Sequence, residues 1–180
     1  ASWNGIPLKV GEQTIGDHLR SSGMDCYLVG KTHMKADVEG MKRLGLAPDS
    51  LIGVRVAECG FDVFERDDGM RPEGPDGFYD DSGALKYNAY LRSKGYHSDN
   101  PWHDYANSAI DADNNVLSGW FLKNSDLPAN IAEEDSETPY LTRRGMDFIK
   151  SQGDAPWCCH LSYIKPHWPY IVPAPYHDMF

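Results

Sequence analysis

CYLVGKTH, residues 26–33, is an apolar run that ends in glycine and is followed at once by two side chains that can carry positive charge, Lys31 and His33. Such a run between turn-forming positions favours a buried β-strand. A short helix is predicted before it, because Thr14 can act as the N-cap and Gly23 can end the helix. In open α/β sheets, ligands bind beyond the carboxyl ends of the strands. The stretch therefore predicts an α/β fold with a ligand site at Lys31.

A second copy of this pattern lies near the other end of the sequence. The apolar run 157–164 is followed by Lys165 and His167, and a helix is predicted before it over 138–149, with Thr138 as the N-cap. Both runs are predicted to be buried strands. Because parallel strands end at the same edge of a sheet, we expect the two Lys-x-His segments to contribute to one anion site.

The residue types at these two strand ends suit one kind of chemistry. Lys31 offers a point charge with three donors, and His33 can donate, accept or carry a proton near neutral pH. These groups can bind a tetrahedral oxyanion. They can also exchange a proton with a nucleophile or with a leaving group. The alternative is that Lys31 is a solvated lysine and His33 a capping or core histidine, and the residues alone leave both interpretations open.

The sequence divides into an α/β core and a loop-rich insertion. The core is predicted over 1–65 and 136–180, as part of one domain, and includes a further strand over 53–65 that is interrupted at Cys59-Gly60. Residues 66–135 are rich in Gly, Pro, Asp, Asn and Ser, which is typical of an inserted cover. The fold class is thus a mostly parallel sheet flanked by helices, with an insertion.

The insertion contains aromatic residues that could line a substrate pocket. Short helices are predicted over 87–94 and 101–110, and the second contains Trp102 and His103. Indole rings stack on sugars and aryl groups, so both residues are predicted substrate contacts; packing of the cover against the sheet is the alternative.

Composition narrows the class of partner and the compartment. The 180 residues carry 17 Lys and Arg against 27 Asp and Glu, a net charge of −10, which argues against nucleic acid as a partner. No apolar run is long enough to cross a bilayer and no signal segment opens the chain, so no membrane partner is expected. We predict a cytoplasmic protein, with the periplasm or secretion as alternatives, and leave a homo-oligomer open. Its cysteines are expected to be buried free thiols, with a disulfide as the alternative.

TIGDHL at 14–19 and VGKTHM at 29–34, together with LSYIKPHWPY at 161–170, resemble segments of the sulfatases of the alkaline phosphatase superfamily. The first two are similar to that family's T-L-x-x-x-L and G-K-W/T-H segments, and the third to its P-H-x-P segment. The resemblance covers residues 1–50 and 136–178. It implies part of an alkaline phosphatase-like α/β sandwich of the formylglycine-dependent type.

The resemblance implies a role for three residues. Lys31 matches the lysine that contacts the sulfate and the nucleophile, and His33 matches the histidine bonded to the nucleophile's hydroxyl. His167 matches the histidine that contacts substrate oxygens and assists the leaving group. Lys165 has no counterpart in the family motif and is predicted from its position as a substrate contact.

The family's nucleophile and metal ligands have no match in the sequence. The resemblance implies formylglycine, made from a cysteine in C/S-x-P-x-R, and a divalent metal such as calcium, held by two sets of ligands that include an Asp pair. None of the four cysteines has that context. The pairs Asp67-Asp68 and Asp80-Asp81 are predicted to be solvated turn carboxylates. We therefore predict an internal fragment with no metal ligands, which starts after the nucleophile and is inactive alone.

The leading functional prediction is a fragment of a sulfatase-like hydrolase that cleaves small-molecule sulfate monoesters with a metal-activated nucleophile. A phosphodiesterase or phosphonate monoester hydrolase on the same scaffold is the enzymatic alternative, with a phosphorus ester as substrate. A non-catalytic anion- or carbohydrate-binding module is the alternative from a different class.

Overall fold

The computed structural model describes residues 7–32, 36–47, 49–67 and 85–179. The chain forms two compact units, Ala1–Gly83 with Arg144–Ser162 (unit 1) and Ala84–Arg143 with Tyr163–Phe180 (unit 2). In chain order the described helices and strands are α1 (Ile15–Ser21), β1 (Asp25–Gly30), α2 (Val38–Arg43), α3 (Leu51–Ala57), β2 (Asp62–Arg66), α4 (Lys86–Ser93), β3 (Ser108–Ile110), β4 (Val116–Ser118), α5 (Glu137–Ser151) and β5 (Trp157–Ser162).

Unit 1 contains a three-stranded sheet in the order β2-β1-β5, and both pairings are parallel. The predicted α/β class, with a parallel sheet and flanking helices, is confirmed. The predicted neighbourhood of the two apolar runs is also confirmed, because Gly30 at the end of β1 pairs with Ser162 at the end of β5.

The start of unit 1 follows its local sequence signals closely. The Thr14 N–H donates to Asp17 Oδ2 at 2.8 Å, which forms the capping box that begins α1. Gly23 follows the helix with φ of +82°, a conformation that favours glycine. β1 is the central strand, and Cys26, Leu28 and Val29 are fully or almost fully buried.

β5 differs from its prediction as a second fully buried strand. Within the described part of unit 1 it pairs only with β1, so it lies at an edge of the sheet. Trp157 and Leu161 retain 36% and 39% of their exposure. It still contacts the core on both faces. The Trp157 ring packs against Phe148 of α5 with centroids 5.3 Å apart, and Cys158 packs against the buried cluster that contains Cys26.

The prediction of one strand over 53–65 is wrong for its first half. Leu51–Ala57 is helical, because the Ser50 hydroxyl accepts from the Gly53 N–H at 3.0 Å and caps α3. Gly53 and Ala57, one helical turn apart, are the buried positions. The valines of this helix also favour a β-strand, so the sequence pattern was ambiguous here. Only Asp62–Arg66 forms the strand β2.

α5 begins one residue before the predicted N-cap. Ser136 is still extended, with ψ of 163°, and its carbonyl accepts from the Tyr140 N–H at 3.1 Å. Glu137 is therefore the first helical residue, and Thr138 lies inside the helix rather than capping it.

Unit 2 has an aromatic core and little sheet. β3 and β4 form a two-stranded antiparallel pair. The helix predicted over 87–94 is confirmed as α4, whereas the helix predicted over 101–110 is limited to a short π-helical turn, Trp102–Ala106, followed by β3. Ten buried residues share the core of this unit: Tyr87, Leu91, Trp102, Ala106, Ala109, Ala129, Ile131, Tyr140, Leu141 and Ile171.

Two further predictions can be compared with the structure. All four cysteines are free, as expected, but only Cys26 is buried and the other three are half-buried. In the ranges that the structure describes, every helix is too short or too polar to cross a bilayer.

Candidate functional site

Lys31 directly follows the central strand at the carboxyl edge of the unit 1 sheet. Its N–H donates to the Ser162 carbonyl at 3.1 Å, and the preceding Gly30 carbonyl accepts from the Asp67 N–H at 3.1 Å. The backbone is thus held from both neighbouring strands at the point where the side chain leaves the sheet. This is the edge at which parallel α/β sheets bind ligands.

Gly30 is required by this geometry. Its φ is +103°, and a Cβ at this position would lie 1.9 Å from the Ser162 carbonyl oxygen. Only glycine allows the strands to approach this closely while the chain turns toward Lys31. The glycine of the sequence motif therefore has a steric role of its own.

The Lys31 side chain is half-buried, and its ammonium forms no ion pair with any residue in the described ranges. An ammonium without a carboxylate partner can supply its charge to a bound anion. His33, which the sequence analysis placed beside it, lies outside the described residues.

A buried polar cluster that the sequence analysis missed lies next to Lys31 in the chain. The Thr32 hydroxyl donates to Glu58 Oε2 at 2.7 Å, and Glu58 Oε1 lies 3.1 Å from Arg66 Nη1. Glu58 and Arg66 are 2% and 6% exposed. The sequence contained one signal for this cluster: Arg66 ends a strand, and a buried cation needs a partner of opposite charge. Glu58 lies eight residues before Arg66, and this separation does not by itself place the two residues on one helix or opposite each other in a sheet.

Asp67 also lies at this edge, directly after β2, and is 1% exposed. The prediction of a solvated turn carboxylate is therefore wrong for Asp67, while Asp68 and the pair Asp80-Asp81 lie outside the described residues. Among the described residues, no three His, Cys, Asp or Glu side chains come together as a metal site. The described side chains thus do not fit a metal centre, and the divalent metal and the formylglycine stay predictions from the resemblance.

Lys165 lies in unit 2, and hydrogen bonds from its ammonium stabilise the segment of chain that contains it. Nζ donates to Asn107 Oδ1 at 3.2 Å and to the Pro169 carbonyl at 2.7 Å. Burial lowers the pKa of Lys165 below its usual value, and the nearby Glu137 carboxylate offsets part of this effect. Lys165 also lines a cavity of about 340 Å³ with mostly apolar walls, among them Ile171.

His167 follows in the same segment of unit 2 and is exposed. Its Nδ1 lies 2.7 Å from the Trp168 carbonyl oxygen. Since a carbonyl oxygen can only accept, this contact places a proton on Nδ1, and Nε2 is then the ring nitrogen that can exchange a proton with a ligand. The geometry gives His167 a defined orientation for such a role.

Trp102 and His103 belong to the π-helical turn of unit 2. The Trp102 indole is buried in the core, and its Nε1–H donates to Glu137 Oε1 at 2.6 Å. His103 is half-buried, and its Nδ1 accepts from Trp120 Nε1 at 3.1 Å. These contacts fit the packing alternative, and substrate binding by either residue stays a prediction.

No family model matches the sequence of this chain. It is similar to the multifunctional alkaline phosphatase superfamily protein PehA of Trinickia caryophylli, with 36% identity over 56 residues. The aligned part is 31% of this chain and 11% of PehA, so the chain spans only a small part of that curated relative.

The structure is similar to two solved hydrolases. Phosphonate monoester hydrolase SpPMH from Silicibacter pomeroyi matches with a TM-score of 0.69 and 25% identity over 99% of this chain and 31% of its own. The phosphonate monoester hydrolase of Agrobacterium radiobacter matches with a TM-score of 0.63 and 23% identity over 98% of this chain and 30% of its own. The chain therefore has an alkaline phosphatase superfamily fold and spans under a third of each solved hydrolase.

Proposed function

We propose that this chain is part of a hydrolase that cleaves small-molecule esters of a tetrahedral oxyanion, with a sulfate monoester as substrate. The observation that carries the proposal is Lys31, whose backbone is fixed at the carboxyl edge of the sheet while its ammonium has no ion-pair partner among the described residues. The Gly30–His33 motif favours the sulfate ester. The similarity to phosphonate monoester hydrolases supports a phosphonate monoester as a second candidate.

The charge at the site favours both of these substrates over a phosphate monoester. A sulfate monoester and a phosphonate monoester each carry one negative charge on a tetrahedral centre, whereas a phosphate monoester carries close to two near neutral pH. Lys31 is one point charge, and the protein as a whole is acidic, with a net charge of −10. A singly charged centre therefore suits this part of the site better than a doubly charged one.

The proposed roles are those that the resemblance to the sulfatases implies, and the residue types suit them. Lys31 donates to a non-bridging oxygen of the substrate and balances the charge that grows there in the transition state. His33 hydrogen-bonds the nucleophile's hydroxyl. His167, protonated at both ring nitrogens, donates the Nε2 proton to the leaving oxygen and is left neutral, while its Nδ1–H stays bonded to the Trp168 carbonyl.

The nucleophile and the metal are proposed only from the resemblance to the sulfatases. In the proposed enzyme they come from segments outside these 180 residues, and this chain supplies anion binding and proton transfer. A bound divalent metal would polarise the oxyanion and activate the nucleophile. A non-catalytic anion- or carbohydrate-binding module remains the alternative from a different class.

Substrate preference can be measured on the complete polypeptide that contains this chain. We expect turnover of p-nitrophenyl sulfate or of p-nitrophenyl phenylphosphonate, and a lower kcat/KM for p-nitrophenyl phosphate. The ratio of the first two rates assigns the ester class. Efficient turnover of the phosphate monoester above both others would contradict the charge argument, and binding of sulfate without any turnover would favour the binding module.

The variant Lys31→Ala tests directly whether the Lys31 ammonium contributes to catalysis. Loss of one oxyanion donor is expected to lower kcat/KM by about 100- to 1,000-fold. Lys42→Ala is the matched control, because Lys42 is an exposed lysine of the same unit on α2. Equal activity of Lys31→Ala and Lys42→Ala would remove the assignment.

A further inference from the structure

Glu58 and Arg66 form an ion pair that is almost fully withdrawn from solvent. Glu58 Oε1 lies 3.1 Å from Arg66 Nη1, and the side chains are 1% and 3% exposed. Glu58 is the C-cap residue of α3, and Arg66 is the last residue of β2. Replacing a buried pair of this kind by apolar residues is often neutral or stabilising, so stability alone does not account for these charges.

The second oxygen of Glu58 holds the residue that follows Lys31. Glu58 Oε2 accepts from the Thr32 hydroxyl at 2.7 Å. The Lys31 N–H is already bonded to the Ser162 carbonyl at 3.1 Å. The chain is therefore tethered at two successive residues, by its backbone at Lys31 and by its side chain at Thr32. Together these tethers restrict the direction in which the Lys31 side chain leaves the sheet.

Glu58 is itself held in place by backbone contacts. Its N–H donates to the Val54 carbonyl at 2.9 Å and its carbonyl accepts from the Phe61 N–H at 3.0 Å. The carboxylate that holds Thr32 is thus fixed to the end of α3 and to the turn before β2. A rigid support of this kind is what a binding group needs to keep its geometry before the ligand arrives.

The arrangement also adds no net charge to the anion site. Arg66 balances the Glu58 carboxylate, and Thr32 is neutral. A carboxylate without such a partner would oppose the approach of an anion to Lys31. The ion pair therefore allows a charge-assisted hydrogen bond to Thr32 from a pair that has no net charge of its own.

We propose that Glu58 is a positioning residue: acting through Thr32, with Arg66 as its counter-charge, it holds Lys31 in the direction that meets the substrate oxyanion. The inference rests on the proposed role of Lys31, since it adds a support for that residue. It predicts that loss of the Thr32 hydroxyl weakens catalysis without a comparable loss of folding.

The first test compares Thr32→Val with Thr32→Ser in the complete polypeptide. Thr32→Val keeps the shape and removes the hydroxyl, so kcat/KM for p-nitrophenyl sulfate or p-nitrophenyl phenylphosphonate should fall at least about tenfold, the scale of a misplaced group. Thr32→Ser restores the hydroxyl and should recover most of that loss. Equal kinetics for Thr32→Val and the wild type, or a loss that Thr32→Ser does not recover, would overturn the proposal.

A matched control separates positioning from stability. Ser50→Ala removes the cap of α3, the helix that carries Glu58, and should lower the melting temperature while kcat/KM stays within about twofold. If Ser50→Ala and Thr32→Val lose the same activity at the same melting temperature, Glu58 has only a structural role and the proposal fails.

A double-variant cycle tests whether Glu58 acts through Thr32. Thr32→Val combined with Glu58→Gln should lose no more activity than the more damaging single variant, because both remove one tether. Losses that multiply would contradict the relay. Lys31→Ala, measured in the same series, distinguishes failure of the proposed function from failure of the positioning role. If Lys31→Ala leaves kcat/KM unchanged, the proposed function is refuted. If Lys31→Ala lowers kcat/KM and Thr32→Val does not, only the positioning role of Glu58 is refuted.

Discussion

Lys31 of unit 1 and Lys165 of unit 2 follow adjacent parallel strands in the same Lys-x-His pattern, yet the structure uses them in opposite ways. At Lys31 the backbone is anchored by the Ser162 carbonyl, and the ammonium has no ion pair within the described ranges. At Lys165 the ammonium is the anchor, because it donates to Asn107 Oδ1 and to the Pro169 carbonyl. We propose that the first lysine binds an anion, whereas the second already has two acceptors.

The contrast shows that a sequence pattern identifies a position more reliably than a role. A regular strand can fix the start of a loop through its ladder, which leaves the side chain for ligand chemistry. An irregular segment lacks that ladder, so its side chains must supply the hydrogen bonds that hold it. Unit 2 relies on side chains elsewhere too, since Tyr90 and Tyr96 both donate to the carboxylate of Asp135.

The largest expected effect comes from breaking the backbone anchor of unit 1. Gly30→Ala would place a methyl group 1.9 Å from the Ser162 carbonyl oxygen at a φ of +103°. A backbone conformation this strained costs about 1–3 kcal/mol before the clash is counted, so we expect little folded protein, measured by soluble yield and circular dichroism. Gly153→Ala, where a Cβ meets no atom within 4 Å, is the control. Normal folding of Gly30→Ala would contradict the close approach of β1 and β5.

A somewhat smaller effect is expected from breaking a side-chain anchor of unit 2. Trp102→Phe removes the donor to Glu137, which is buried at 4% exposure, and leaves a gap in the core. The free energy of unfolding should fall by about 2–4 kcal/mol in a urea titration. If stability is unchanged while KM for the ester rises, Trp102 contacts substrate as the sequence analysis predicted.

Lys165→Met sharpens the comparison between the two lysines. It removes two hydrogen bonds, so we expect a loss of about 1–2 kcal/mol in stability near neutral pH, with KM and kcat changed far less than in Lys31→Ala. Burial lowers the pKa of Lys165 in the folded state, so the unfolded chain holds this proton to a higher pH. The wild type should therefore gain stability relative to Lys165→Met as pH rises toward the usual lysine value of about 10.4.

The Lys165 prediction fails in two recognisable ways. A KM that rises as much as in Lys31→Ala would show that Lys165 binds substrate, as the sequence pattern first indicated. A stability difference that falls with rising pH would contradict the buried position of its ammonium.

The smallest effect is expected at an ion pair of unit 1 that lies away from the anion site. Burial raises the pKa of Asp62, but hydrogen bonds and charge from Arg55 and Arg20 outweigh it, and the net pKa is lowered. A lowered carboxyl pKa stabilises the fold above the usual value of about 3.9 and loses this contribution as pH falls through the folded pKa. Asp62→Asn should therefore be less stable than the wild type by about 1 kcal/mol at neutral pH, and the difference should shrink in acid. A difference that is constant with pH would refute the charge argument.

The parts of the fold that depend on neighbours in sequence could be predicted. The capping box of Thr14 and Asp17 lies within four residues, and the apolar run of β1 is continuous, so both are visible locally. The helix Leu51–Ala57 was not predicted, because its valines also suit a strand and its cap, Ser50, is a single residue. The Ser50 cap, together with the burial of Gly53 and Ala57, favours the helix.

The site could be predicted in part for the same reason. The position of Lys31 at the edge of the sheet follows from its place directly after a strand. Predicting that position requires no knowledge of a residue distant in sequence. The contacts of Glu58 could not be predicted, since its partners are Thr32, 26 residues away, and Arg66 at the end of β2. The acidic pair at 67–68 also illustrates the limit: composition alone suggests a solvated turn, and only the fold shows that Asp67 is buried.

The central claim is that Lys31 binds a tetrahedral anion at the carboxyl edge of the unit 1 sheet. The most direct measurement is the inhibition constant of inorganic sulfate for the complete polypeptide and for its Lys31→Ala, Lys42→Ala and Lys165→Met variants. The account predicts a constant that rises at least about tenfold in Lys31→Ala, as for loss of a charged hydrogen bond, with much smaller changes in the other two. An inhibition constant that is the same in Lys31→Ala and Lys42→Ala would contradict it.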